Sequence, residues 1–235
     1  MKRFWTTASV TGTPGAQTIV LDNKPMRIPG GAALVLTTPA LADAVAAEWQ
    51  GAGSTFILDD LPLTRLAGTA QDRVAPNPAP VAAALAEYAQ SDLLCYRATH
   101  PADLAARQAV AWQPWLDWAH ATHGARLLVT EGIVHVAQDP EALARVAGAF
   151  AALDPAALAA LGIAVPAMGS AVLGLAFAAG ALDATTAFSV SSLDELFQVE
   201  KWGEDASATV RRGHVAADLA LAERFLRLTR SVLTH

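Results

Sequence analysis

The sequence predicts an α+β protein with a small N-terminal β-rich domain containing one helix, residues 1–75, and a larger, mainly α-helical domain, residues 76–235. Short alternating segments separated by Gly, Pro and Asn turns fill the first third of the chain. Capped segments with apolar residues at helical spacing fill the rest. Pro76-Asn77-Pro78-Ala79-Pro80 is the clearest break in the chain, and the domain boundary is placed beside it.

The N-terminal domain should hold short strands and one main helix. Extended segments are predicted over residues 5–10, 18–21 and 34–36, with a break at Pro29-Gly30-Gly31 before the last. Thr38-Pro39 then supplies an N-cap and a first-turn proline. The helix that follows should bury one stripe at i, i+4 and i+8, formed by Leu41, Val45 and Trp49.

Helix signals dominate the second domain. An Asp cap precedes several helices, and the helix after Asp183 should run to about residue 201 before Gly203 ends it. Asp205 should cap the last helix. One small hairpin is expected near residues 127–136, around Glu131-Gly132.

No charged residue occurs from Pro155 to Leu182, a length that could cross a bilayer. Several glycines and Pro166 interrupt the stretch, and Asp154-Pro155 reads as a helix start. Two short, buried, Ala-rich helices are therefore the better interpretation, and no membrane insertion is expected.

Composition excludes some partners. The net charge is -6 and only 16% of residues are charged, without the clustered Lys and Arg that neutralise phosphates, so nucleic acid is not expected as a partner. The single cysteine, Cys95, excludes an internal disulfide and fits a reducing compartment. We see no secretory signal or transit peptide and expect a cytoplasmic protein.

Candidate catalytic and metal-binding residues form no recognised motif. His120, His123 and His135 could together hold zinc, but no carboxylate has the spacing of a zinc-protease helix. Ser170 lacks the second glycine of a nucleophile elbow, and Cys95 has no local base. We expect no metal and no cofactor. Three arginines beside apolar residues, Arg65, Arg73 and Arg97, are expected to form buried ion pairs with Asp72, Asp92 or Asp103, in preference to an anion-binding site.

Residues 194–205, here called the acidic strip, hold five carboxylates within twelve residues: Asp194, Glu195, Glu200, Glu204 and Asp205. Lys201 is the only base among them, and Trp202 is the aromatic residue. Such a strip is typical either of a binding surface or of a solvated helix end, and the residues alone leave both open.

A series of short motifs runs almost from end to end of the chain. In order they are Arg3-Phe4-Trp5, Glu48-Trp49, 61–66 with Asp72-Arg73, 91–98, Gln108 with Trp112, Leu193-Asp194-Glu195 with Gln198, and Trp202-Gly203-Glu204-Asp205. In this order and spacing the chain resembles the assembly chaperones of the ATP synthase catalytic head, the Atp-twelve family that holds the α subunit. Asn23, in place of a glycine in the first hairpin turn, and Gln113, in place of an acid, depart from the family pattern.

The resemblance implies a non-enzymatic protein that binds the unassembled α subunit and prevents its aggregation until it pairs with β. We expect a monomer in the bacterial cytoplasm; eukaryotic members of the family would lie in the mitochondrial matrix. The expected partner-binding residues are Glu204 first, then Asp205, Asp194, Glu195 and Trp202, although a buried anchor is the favoured alternative for Trp202. The remaining motif residues are expected to be structural: Trp49, Arg65, Asp72, Asp92, Tyr96, Arg97, Trp112, Gln198 and Gly203.

Two other functions stay open. An enzyme of unknown reaction would use the acidic strip as an acid/base or metal site, which requires a closed pocket and carboxylates of raised pKa. A permanent structural subunit would instead carry a large apolar interface.

Overall fold

The computed structural model describes residues 1–27 and 32–230, so the predicted break at Pro29-Gly30-Gly31 lies outside the described residues. A three-stranded sheet near the N-terminus and a mostly helical remainder confirm the α+β fold class. Contacts group the chain into two compact units. The first contains residues 1–77, 155–160 and the described chain from Arg224; the second contains residues 78–154 and 161–223. The division into domains 1–75 and 76–235 stays a prediction.

The first unit is built on an antiparallel meander of β1 (Ala8–Thr13), β2 (Ala16–Leu21) and β3 (Lys24–Pro25). The β2–β3 turn places Asp22 and Asn23 at φ 47 and 69, so the asparagine adopts the left-handed conformation that this residue type tolerates. The Asp22 carboxylate accepts the Thr7 and Thr6 N–H groups, which lowers its pKa. The strand predicted over 5–10 thus begins three residues later, and the strand predicted over 34–36 is reduced to an isolated bridge between Gln17 and Leu36.

Two helices of this unit are α1 (Pro39–Gly51) and α2 (Pro62–Thr69), the second extended by a π-helical turn, Ala70–Val74. Thr38 caps α1 as predicted, since its hydroxyl accepts the Leu41 N–H. The predicted stripe of α1, Leu41, Val45 and Trp49, is buried. An aromatic cluster completes the core, with ring centroids 5.1 to 5.8 Å apart: Trp5, Trp49 and Phe56.

The second unit is helical. Its helices are α3 (Pro78–Ala86), α4 (Ala102–His123), α5 (Pro140–Ala151), α7 (Ala171–Ala179), α8 (Ala184–Ser191) and α9 (Leu193–Trp202). Two more helices, α6 (Pro155–Met168) and α10 (Ala206–Thr229), contribute residues to both units. Within the second unit, α4 packs against α5, α7 and α9.

The uncharged stretch forms the two helices α6 and α7, as predicted. Over residues 1–27 and 32–230, none of the helices is both long enough and apolar enough to span a bilayer. Gly174 on α7 allows this part of the core to pack closely, since a Cβ there would lie 2.3 Å from Cγ2 of Val165.

Two predictions in this unit are wrong. The hairpin near 127–136 does not form: β5 (Thr130–Glu131) pairs in parallel with β4 (Tyr96–Arg97), and Ile133 is 96% exposed. The helix expected from Asp183 to residue 201 is interrupted at Ser192, which separates α8 from α9. The hydroxyl of Ser191 donates to the Ala187 carbonyl, a side-chain bond of the kind that weakens helices at serine.

Candidate functional site

The acidic strip lies on α9 and on the first residues leading into α10. Gly203 ends α9 with φ 87, as predicted, because its left-handed backbone cannot continue the helix. Asp205 then caps α10: its carboxylate accepts the Ala208 N–H at 2.8 Å and the Ser207 hydroxyl at 2.6 Å. These hydrogen bonds, that of Ser207 first, lower the pKa of Asp205.

Helix α4 holds α9 along one side through polar contacts. The pairs are Gln108 Nε2 with Asp194 at 2.7 Å, Arg107 with Glu200 at 2.7 Å, and Lys201 with Asp103 at 3.0 Å. Phe197 is buried beneath them, and the charged groups of Arg107 and Lys201 lie 5.2 and 5.1 Å from its ring centroid. The single base of the strip is therefore engaged with Asp103 and Phe197.

Helix α10 engages the remaining carboxylates. Glu195 pairs with Arg211 at 3.0 Å and faces Arg212 at 4.0 Å. Glu204 pairs with Arg212 and accepts the Thr209 hydroxyl at 2.6 Å. The Thr209 hydrogen bond and the charge of Arg212 lower the pKa of Glu204. Each of the five carboxylates thus has a partner within the chain.

Trp202 is the large apolar side chain that the strip exposes. It is 77% exposed, so the interpretation as a buried anchor is wrong. The reason is helical geometry, because Trp202 follows the buried Phe197 by five residues, which places it about 140° around the helix. Gln198, expected to be structural, is also exposed.

Some of the residues expected to be structural make buried hydrogen bonds, and others make exposed ones. Trp49 donates from Nε1 to the Thr64 hydroxyl at 3.0 Å, and Trp112 donates to the Val190 carbonyl at 2.9 Å. Asp72 accepts an exposed hydrogen bond from Gln71. Tyr96 bonds through its hydroxyl to Nδ1 of His135 at 3.1 Å.

For Arg65 and Arg97 the predicted ion-pair partners are wrong, whereas the pair predicted for Arg73 stays a prediction. Arg65 pairs with Asp59, six residues before it in the chain. Arg97 donates to the carbonyl oxygens of Leu94 and Gln108, at 3.0 and 2.7 Å, and its guanidinium lies 5.4 Å from the Trp112 ring centroid. Burial lowers the pKa of Arg97. Backbone carbonyls satisfy this side chain where a carboxylate was expected.

Asp92 is fully buried and joins two elements. Its carboxylate accepts the Leu94 N–H at 3.1 Å and the Val172 N–H at 3.0 Å, the latter in the first turn of α7. Burial raises the pKa of Asp92 to about 6.

The two residues considered as nucleophiles are Ser170 and Cys95. Ser170 is the N-cap of α7, since its hydroxyl accepts the Leu173 N–H. Burial raises the pKa of Cys95 to about 12. Both former nucleophile candidates are thus core residues.

Two of the three histidines considered for zinc have different partners. His135 bonds to Tyr96, whereas the His123 ring packs edge-on against Trp118 and burial lowers its pKa. In the part of the chain that the structure describes, no three His, Cys, Asp or Glu side chains are grouped to hold a metal ion. In the strip itself, the lowered pKa values of Glu204 and Asp205 are the opposite of what acid/base catalysis at neutral pH would need.

Comparison with known proteins identifies the protein family, because residues 2–120 match the family model described as ATP12 chaperone protein. The chain belongs to this chaperone family. Atp12 from Paracoccus denitrificans is 41% identical, with a TM-score of 0.92 over 97% of this chain and 98% of that one. A mutant of the same Paracoccus protein superimposes with a TM-score of 0.93, at the same identity and coverage. The Atu1473 protein of Agrobacterium tumefaciens, for which a chaperone role has been put forward, is 38% identical, with a TM-score of 0.91 over 97% and 86% of the chains.

The cations that organise the strip, Arg107, Arg211 and Arg212, were not among the predicted site residues. Arg107 lies on α4, 93 positions before Glu200, and no local spacing connects them. Arg211 and Arg212 form a basic pair soon after the carboxylates, and this pair was a usable signal. Opposite charges clustered across a helix break predict ion pairs between the two helices.

Proposed function

We propose that this chain is a non-enzymatic assembly chaperone that binds the unassembled α subunit of the ATP synthase catalytic head. The observation that carries the proposal is its membership of the ATP12 chaperone family, with 41% identity to Atp12 from Paracoccus denitrificans over 97% of the chain. An isolated α subunit exposes apolar surface meant for β subunits, and such surface aggregates when it is left uncovered. The chaperone covers that surface, yields to β, and acts as a monomer in the bacterial cytoplasm.

The acidic strip is the proposed contact, with Glu204 and Asp205 supported by Asp194, Glu195 and Trp202. An exposed tryptophan within a polar rim has the composition of an interface anchor. Rim charges influence association rates and specificity more than affinity. A contact of this kind can protect the α subunit, here called the client, and still be displaced by the β subunit.

The proposal is tested with purified α subunit in a light-scattering aggregation assay. The chain should suppress aggregation at about equimolar amounts, and added β subunit should displace it. A tagged chain should also recover the α subunit from lysate without the assembled synthase. Recovery of the whole synthase would instead indicate a permanent subunit, and no effect on α-subunit aggregation would refute the proposal.

The contact is tested with Glu204→Lys, which reverses one charge of the strip. Glu141→Lys is the control, because it reverses the charge of another exposed glutamate that pairs with an arginine, here Arg145 at 3.3 Å on α5. We expect Glu204→Lys to lose protection of the α subunit and the control to keep it. A folded Glu204→Lys protein that still protects at normal stoichiometry would show that Glu204 is not part of the contact.

A further inference from the structure

Arg212 differs from the other cations of the described chain because its residue is only 7% exposed, which places it among the buried residues. Its neighbour Arg211 has a side chain that is 64% exposed. A buried guanidinium is costly unless its charge and its hydrogen-bond donors are satisfied. The groups that satisfy Arg212 therefore have fixed positions around it.

Those groups come from both sides of the break between α9 and α10. Nη2 of Arg212 pairs with Glu204, in the connection between the helices, and lies 3.1 Å from the Thr209 hydroxyl in α10. Nη1 faces Oε2 of Glu195, in the first turn of α9, at 4.0 Å. One planar side chain thus hydrogen-bonds to the connection and to the first turns of α10, and its charge lies near a Glu195 oxygen at the start of α9.

Glu204 has its side chain 60% exposed, and three groups restrain it: the Thr209 hydroxyl, Arg212 and the short connection that begins at Gly203. Trp202 precedes it by two residues and is exposed. Because Arg212 holds Glu204 in place, it also limits the positions that the connection and the exposed ring can occupy. The Glu204 charge is already compensated within the chain. Glu204 therefore acts on a partner mainly through the position in which its side chain is held.

We infer that Arg212 is the positioning residue of the client-binding strip, acting through Glu204 to fix how Glu204 and Trp202 are presented. This inference rests on the proposed function. It assigns the two arginines of the pair different roles. Arg212 is required for the geometry of the contact, whereas Arg211, an exposed side chain that pairs with Glu195 and makes no contact with Glu204 in the described chain, is dispensable for it.

The test measures the dissociation constant of the full chain for purified α subunit, together with the thermal midpoint of each variant. Arg212→Gln should weaken binding about fivefold to tenfold, less than the loss of a fully buried interfacial ion pair, because the Glu204 side chain that Arg212 positions is 60% exposed. Arg212→Lys should retain part of the affinity, because lysine keeps the charge without the planar fork. Arg211→Gln, the matched control, should change affinity by less than about twofold, as exposed pairs contribute little.

A double-mutant cycle separates positioning from general destabilisation. In a Glu204→Gln background, Arg212→Gln should weaken binding no further, because the Glu204 carboxylate through which Arg212 acts is already absent. The stability loss through Glu195 should persist in both backgrounds. Equal weakening of binding in both backgrounds, or none in either, would overturn the inference. If Arg212→Gln does not fold, the same cycle with Arg212→Lys decides. Failure of the wild-type chain to bind the α subunit would instead overturn the proposed function itself.

Discussion

Gly174→Ala is the substitution whose effect the structure defines most closely. Gly174 is buried in α7, and a Cβ added there would lie 2.3 Å from Cγ2 of Val165 and 3.7 Å from Cζ of Phe150. Carbon atoms pack at about 3.5–4.0 Å, so the new methyl group would be more than about 1 Å too close. Val165 is a β-branched residue in a helix and has little freedom to rotate away.

The expected loss follows from two opposing effects. Overpacking of a rigid core costs about 1–3 kcal/mol, and a contact this short places the cost in the upper part of that range. Replacing a helical glycine by alanine raises the free energy of unfolding by about 0.5–1 kcal/mol, because alanine has the higher helix propensity. We therefore expect Gly174→Ala to lower the free energy of unfolding by about 1–2 kcal/mol.

Gly162→Ala on α6 is the matched control, since no heavy atom lies within 4 Å of the added Cβ. It should raise the free energy of unfolding by about 0.5–1 kcal/mol. Urea unfolding followed by far-ultraviolet circular dichroism measures both variants, and the slope of the transition should not change. A Gly174→Ala protein as stable as the wild type would show that the core yields at this point, and the reasoning from close packing would fail.

Two further predictions concern buried and capping carboxylates. Burial raises the pKa of Asp92 from 3.8 to about 6, so Asp92 stabilises the folded state at about pH 4 and this contribution is lost as the pH rises through 6. The shift corresponds to about 3 kcal/mol in full, part of which is already lost at pH 4, so the stability of wild type relative to Asp92→Asn should fall by about 2 kcal/mol from pH 4 to pH 7. A pH-independent difference in urea unfolding would contradict this. Glu48 accepts the Leu63 and Thr64 N–H groups at the start of α2, at 2.7 and 2.9 Å. Glu48→Ala should cost about 1–2 kcal/mol and Glu48→Gln less, whereas equal losses would show that the hydrogen bonds are not the cause.

The features that the sequence predicted best are those encoded within a few residues. Thr38, Asp139, Asp183 and Asp205 each accept a backbone N–H two or three residues later, as capping residues should. Gly203 ends α9 for an equally local reason. Caps and breaks depend on side chains beside the helix end, so the printed order of residues is sufficient to locate them.

Two of the predictions that failed required knowledge of distant partners. The two apolar runs around Glu131-Gly132 have the pattern of a hairpin, but the strand that pairs with Thr130–Glu131 is Tyr96–Arg97. Arg97 likewise donates to the Gln108 carbonyl, which becomes available only once α4 is in place. Hydrophobic period and turn chemistry carry no information about which segment a short strand will meet.

The acidic strip has both local and distant determinants, since its helix break is local whereas the partners of its carboxylates lie on other helices. Five carboxylates on the printed sequence predict an acidic surface, but the contacts with α4 and α10 compensate much of that charge. Compensated charges attract a distant partner weakly, so under the proposed contact most of the affinity should come from burying the exposed Trp202 ring. One aromatic anchor in a rim of internally paired charges provides moderate affinity and low salt dependence. Those are the properties by which a chaperone can hold an aggregation-prone subunit and still give it up to a larger, permanent interface.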